Sequence, residues 1–217
     1  EIFQKGFNVV IMENHGTVVG GEDIFEAFER FETLEFCART IINARALGNV
    51  KSLNEEQREL MNNVSALNEF SDHQLTTIEK EKRQQIVDIA RRAYKQRLII
   101  STYGTISVRL SDDSFLITPY GIDRLHLELD DIVLIKSGKK EPGKIPSRSV
   151  KLHERIYTEH KEIKSIISAQ SPNATAFCVS GKKFDTHTIP ESYILLRDIP
   201  LIPFGDQFGD GRTISEK

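Results

Sequence analysis

The chain has 217 residues, 39% of them hydrophobic and 28% charged, which suits one large globular domain or two partial ones. Its formal net charge is −3, with Lys and Glu intermixed, so no basic stripe marks a nucleic-acid partner. No apolar run approaches a membrane span and no leader-like segment opens the sequence. Cys37 and Cys178 are too few and too far apart for a disulfide framework or a CxxC zinc site, so a reducing, cytoplasmic compartment is the simplest expectation.

Phe7 to Met12 is a short β-branched run that predicts a buried strand, and Thr17 to Val19 resumes it after a turn at Glu13-Asn14-His15-Gly16. Gly20-Gly21 ends the strand. From Glu22 to Leu47 the apolar period becomes helical, and Gly48 closes that helix as a C′ residue. Phe25, Phe28, Phe31 and Phe36 read as packing residues of this helix. Ser52-Leu53-Asn54-Glu55 has the form of a capping box and predicts a second helix to about Leu67. The polar stretch from Asn68 to Thr77 reads as a linker, and a third helix is predicted from Ile78 to Gln96.

Strand-like composition follows. Thr105–Arg109 and Ser114–Thr118 flank Ser111-Asp112-Asp113 as a hairpin, and Asp131–Ile135 is a further strand. Lys136 to Glu141 reads as a solvated turn. Ser149–Thr158 reads as a helix, Ser165–Ala169 as a strand and Asn173–Val179 as a short helix. His153 and His160 are expected on a half-exposed helix surface. The stretch from Pro200, with Gly205, Gly209 and Gly211, reads as loop. Without strict βαβ alternation, the expected class is mixed α/β, of the α+β type: a mostly antiparallel sheet flanked by helices.

These residues carry a resemblance. Gly104-Thr105-Ile106-Ser107-Val108-Arg109, Ile117-Thr118-Pro119-Tyr120-Gly121 and Pro146-Ser147-Arg148-Ser149, with His153 beyond, resemble the first two-thirds of the class II aldolase/adducin family, of the L-fuculose-phosphate aldolase kind. Glu13-Asn14-His15-Gly16, the glycine pair and the long helix with Glu32 and Glu35 resemble its last third. The order is reversed, because in the family the NHG segment follows the head segment. The expected organisation is therefore residues 1–50 as the C-terminal segment of one aldolase-like unit, 51–78 as a helical linker, and 79–217 as the N-terminal two-thirds of a unit. Two origins fit, a piece of a tandem protein or a circular permutant, and sequence missing at both ends favours the first. A head without its last strands leaves a raw sheet edge, so residues 1–50 are expected to pack on 79–217, in cis or on a neighbouring chain.

The resemblance implies metal-dependent cleavage of a sugar phosphate through an enediolate that zinc stabilises. The family holds zinc with a His-x-His strand and the NHG histidine, and uses a glutamate as acid/base. Here His15 matches the NHG ligand, Ser168 and Gln170 stand where His-x-His is expected, and Ser149 stands at the glutamate position. Hydroxyl and amide oxygens are poor zinc ligands, and a serine cannot act as a carboxylate base. The phosphate loops are better kept: Thr105 replaces an asparagine, Thr118, Gly121 and Ser147 match, and Arg148 and Tyr120 replace serines. Arg148 is suited to bidentate pairing with a phosphate.

The resemblance thus implies a cytoplasmic homo-oligomer that acts on a small sugar phosphate, with no nucleic-acid or membrane partner and with an incomplete site in this chain. The competing expectation is a non-catalytic scaffold or regulatory domain of the adducin kind. A third is small-molecule sensing through the phosphate loops.

Overall fold

A computed structural model describes residues 3–62, 66–71 and 73–205. Two sheets are present. Strands β1 (Val9–Met12) and β2 (Gly16–Val19) form an antiparallel hairpin of their own, with Val10 opposite Val18. Strands β3 (Thr105–Arg109), β4 (Ser114–Ile117), β5 (Val133–Lys136), β6 (Lys139–Lys140) and β7 (Ser165–Ser168) form a five-stranded sheet in the order β6-β5-β4-β3-β7. Every ladder in it is antiparallel. The mixed class with a mostly antiparallel sheet is therefore what the residues build.

Strand alternation sorts the core into two layers. Ile106, Leu116 and Leu134 point to one face, where Ile86, Val87 and Ala90 of helix α3 (Thr77–Lys95) cover them; α1 and α2 are placed below. Phe115, Ile117, Val133 and Ile135 point to the other face and meet Val150 and Tyr157 of helix α4 (Val150–Glu159). Each fully buried Ile or Leu in these layers contributes about 1.5–3 kcal/mol. The alternation fails on one strand. The α4-facing side of β3 carries Thr105, Ser107 and Arg109, all buried, although such a polar stripe reads from sequence as a solvent face.

Helix α1 (Ile24–Leu47) starts where the sequence predicts. Asp23 caps it by accepting the Glu26 amide at 2.8 Å. It packs along α5 (Pro172–Ser180), with Asn43 Nδ2 donating to Asn173 Oδ1 at 2.8 Å and the Lys51 amide donating to the Val179 carbonyl at 3.0 Å. Tyr94 donates to Glu32 at 2.8 Å and Thr102 to Glu29 at 2.7 Å, so α1 also grips α3 and the loop before β3. Helix α1 therefore packs on elements of 79–217 within the same chain. The aromatic face expected to pack is instead largely exposed, with Phe25 at 76%.

Three expectations change, and one element is new. Helix α2 is only Glu55–Glu59, and its cap is Asn54, in a reciprocal box with Gln57, because Asn54 is the residue whose backbone leaves the helix there. Residues 63–65 of the predicted helix lie outside the described residues. The supposed linker tucks against the sheet edge: Phe70 donates its amide to the Lys140 carbonyl and Lys140 donates to the Asn68 carbonyl, while Leu67 and Phe70 join the two core layers. The solvated turn holds β6, because Ser137 and Gly138 both take positive φ, the requirement of a tight hairpin turn. A helix α6 (Pro190–Leu196), headed by proline at its first position, was not legible, and it leaves Ile194 and Leu195 exposed.

A buried charge network ties α3 to β5 and the turn beyond it. Arg83, 2% exposed, donates to both Glu79 and Glu141 and reaches the Ile132 carbonyl. Burial alone would raise the Glu141 carboxyl. Hydrogen bonds from Lys144, Arg83 and the Leu134 amide overcome that and hold it below the usual carboxylate value. Truncation of Arg83 leaves the buried Glu79 with His73 as its side-chain partner and Glu141 with Lys144 and the Leu134 amide, each short of its strongest charge-assisted bonds. Arg83→Leu is therefore expected to lose about 3–5 kcal/mol in urea denaturation; a loss below about 1 kcal/mol would show that the carboxylates relax into solvent.

Candidate functional site

Because β3 runs antiparallel to both neighbours, its start and the ends of β4 and β7 meet at one edge of the sheet. Three loops gather there: 102–104 before β3, 119–121 after β4, and 147–149 before α4. A Pro119–Pro146 bridge holds the second to the third, with the Ser147 amide donating to the Thr118 carbonyl at 3.0 Å. They enclose a cavity of about 230 Å³, lined also by Gln170 beyond β7 and by Glu29 of α1.

Gly104 has φ +87°, and a Cβ there would lie 2.6 Å from Ile99 Cγ2, so this rim needs glycine. Thr105 Oγ1 and Ser147 Oγ share a hydrogen bond of 2.5 Å at the floor. Arg124, 2% exposed, binds only carbonyls: Nε to Gly104 at 3.0 Å, Nη1 to Ile122 at 2.6 Å and Nη2 to Pro119 at 3.0 Å. Burial lowers its pKa to about 10, so it stays a cation at neutral pH. One buried side chain thus ties two rim loops together and places positive charge behind the cavity. Arg148 is exposed at the mouth, its guanidinium 5.6 Å from the Tyr120 ring centroid. The amino end of α4 adds partial positive charge, with Ser149 at the cap position.

The predicted site residues divide. Thr105, Gly121, Ser147, Arg148 and Ser149 all line this cavity, as does Gln170. Thr118 does not: it is fully buried, and its hydroxyl accepts the Ile106 amide at 3.2 Å. His15 is exposed in the turn of the β1–β2 hairpin, and among the described residues that hairpin pairs with no strand of the larger sheet. Ser168 hydrogen-bonds His153 Nε2 at 2.9 Å. Among the described residues, no three His, Cys, Asp or Glu side chains converge as a metal site would require.

Sequence reasoning missed Arg124 and Glu29. A lone arginine in a polar loop gives no signal, and Glu29 lies in a separate segment. It also misplaced His153, which is fully buried rather than half-exposed. The ring bridges Ser107 Oγ at 2.8 Å and Ser168, and Ser107 bonds Tyr157 OH at 2.8 Å, which fills the polar stripe of β3.

Comparison with known proteins agrees with this architecture. The model of the family described as Class II Aldolase and Adducin N-terminal domain matches residues 1–42 and 84–215. The chain belongs to that family. It is 32% identical over 120 residues to a methylthioribulose-1-phosphate dehydratase of Pseudomonas fluorescens, covering 54% of this chain and 54% of that protein. It is 27% identical over 122 residues to an L-fuculose phosphate aldolase of Methanococcus vannielii, covering 56% and 66%. The chain thus spans about half to two-thirds of the length of these two relatives. Among solved structures, the YgbL protein of Escherichia coli superposes with a TM-score of 0.57 at 22% identity over 64% of this chain and 71% of that one. L-fuculose-1-phosphate aldolase from Thermus thermophilus gives 0.54 at 20% over 63% and 71%. At these identities the likeness is one of fold.

Burial depresses the His153 pKa to about 4, from an ordinary value of 6.5. A base whose folded pKa is depressed stabilises the fold fully above 6.5 and loses that contribution as pH falls toward 4, by about 3 kcal/mol in all. Urea midpoints of the wild type should therefore fall more steeply between pH 6.5 and 4 than those of His153→Gln. Parallel slopes would show that the imidazole charges without penalty.

Proposed function

We propose that this chain is a sugar-phosphate-binding member of the class II aldolase family whose ancestral retro-aldol chemistry is not carried by its own residues, and that it works in the cytoplasm. The observation that carries this reading is the convergence of Arg124, Arg148, Thr105, Ser147 and the amino end of α4 on one cavity. Two hydroxyls, a buried cation, a long-armed cation at the mouth and a helix N-terminus are what a phosphate group selects. Relatives named for methylthioribulose 1-phosphate and L-fuculose phosphate support a phosphorylated sugar as the ligand class.

The zinc that the family resemblance calls for does not fit the donors present. Ser168 is committed to His153, Gln170 offers an amide, and His15 stands on a separate hairpin. Ser149 lines the cavity where the resemblance places the acid/base and cannot replace a carboxylate. We therefore infer a degenerate site, built from a head segment at 79–217 and a tail segment at 1–50 joined by 51–78.

Isothermal titration should show L-fuculose 1-phosphate or inorganic phosphate binding to the wild type, with Arg148→Ala weakening it tenfold or more, the loss expected for a charge-assisted pair. Absence of phosphate binding in the wild type would overturn the reading. Elemental analysis of the purified chain should find well under one zinc per chain. Stoichiometric zinc would restore the catalytic alternative.

A second reading, a non-catalytic homo-oligomeric scaffold of the adducin kind, is favoured by the apolar residues left exposed on α1 and α6, among them Ile24, Phe25 and Leu195. Light scattering decides it, because a monomer at micromolar concentration would remove it.

A further inference from the structure

We infer that Glu29, carried on α1, reads the hydroxyl groups of the bound ligand and so makes the cavity select a polyol phosphate over phosphate itself. This rests on the phosphate-binding reading above and names the residue that would set its specificity. Glu29 is the one carboxylate among the described residues that line the cavity. It is half-buried, and Thr102 Oγ1 donates to its Oε1 at 2.7 Å, which fixes the carboxylate against the rim. No described residue donates to Oε2.

The position of Glu29 is informative as well. With Thr102 and Gly121 it lines both the cavity and a second, more open one of about 640 Å³ that runs between α1 and the loop containing Asp123. A cavity of about 230 Å³ is small beside ordinary ligand pockets of about 300–1,000 Å³, so it suits a phosphate with its first carbons. The remainder of a longer ligand passes Glu29 on its way to the second cavity. An acceptor-only group at that boundary attracts O–H donors and repels a free phosphate dianion. Arg124 and Arg148 on one side and Glu29 on the other therefore match a ligand that is anionic at one end and hydroxylated next to it. The tail segment supplies this group to a cavity otherwise built by the head, so α1 contributes recognition as well as cover.

The test compares inorganic phosphate with L-fuculose 1-phosphate by isothermal titration, on the full chain and on Glu29→Gln. Glutamine keeps the Thr102 contact, since its amide oxygen still accepts, and a matched melting temperature controls for folding. The wild type should bind the sugar phosphate at least tenfold more tightly than phosphate. Glu29→Gln should lose most of that margin while phosphate binding is unchanged or tighter. Equal binding of the two ligands by the wild type, or equal weakening of both by the substitution, would overturn the role of Glu29 and leave the phosphate pocket standing. Failure of the wild type to bind either ligand would remove the pocket reading and this inference together.

Discussion

The arrangement depends on one contact, the packing of α1 along α5. Residues 1–50 are tied to the body by that contact and by Asn43–Asn173, Glu32–Tyr94 and Glu29–Thr102. None of these alone is strong, since single hydrogen bonds contribute about 0.5–1.5 kcal/mol net. Their spread along the helix is what orients it. Tyr94 shows the electrostatic consequence: burial, then the Glu32 carboxylate beside it, pushes its hydroxyl well above the ordinary tyrosine value, so it remains a donor at any ordinary pH. With α1 fixed in this way, one wall of the cavity and its carboxylate come from a segment far away in the chain. The β1–β2 hairpin hangs on α1, where Arg30 donates to the Gly20 carbonyl at 2.6 Å, and among the described residues it pairs with no strand of the larger sheet, so His15 lies on a sheet apart from the one that builds the cavity.

A second constraint is the buried polar stripe of β3. Thr105 meets Ser147, Ser107 meets His153 and Tyr157, and Arg109 donates to the carbonyls of Tyr157, His160 and Ile163 while lying 4.6 Å from the Tyr157 ring centroid. A buried polar row is tolerable only when each member is satisfied, and here α4 and the turn after it supply the partners. Geometric specificity follows, because apolar contacts would let α4 slide along the sheet whereas paired donors and acceptors fix its position. That position sets where Ser147, Arg148 and Ser149 enter the cavity.

Much of this was legible in the amino-acid sequence where periodicity and local chemistry agree. Helices α1, α3 and α4 and strands β3, β4, β5 and β7 fall within a few residues of their predicted bounds, since their apolar spacing and caps point the same way. Thr105, Gly121, Ser147 and Arg148, expected at a phosphate site, do gather at one cavity, with Thr118 turned into the core. Most of the failures share a cause. Phe70, His153, Arg124 and Glu29 are placed by partners remote in sequence, and neither spacing nor residue type announces a partner. His153 shares the buried face of α4 with Val150 and Tyr157, yet as a histidine it reads as surface until Ser107 is found facing it. Helix α6 was missed for the opposite reason, since a seven-residue segment with an unburied apolar run carries no amphipathic signal.

The same distinction bears on the proposed phosphate pocket and on the positions where the family resemblance places a metal and an acid/base. The groups that form the cavity also hold the fold. Arg124 joins the rim loops through carbonyls, Thr105 and Ser147 join β3 to the start of α4, and Gly104 permits a backbone that no side chain would fit. Their loss would cost stability as well as binding. Ser149 and Gln170 are less constrained: each lines the cavity, and neither side chain caps a helix or bonds another described residue. Positions of that kind can carry a catalytic carboxylate or a ligand imidazole, or can do without one, at little cost to the scaffold. On the proposed reading, a fold that keeps a phosphate pocket while Ser149 and Gln170 stand at the positions where the family resemblance places reactive groups is the outcome that this division of labour permits.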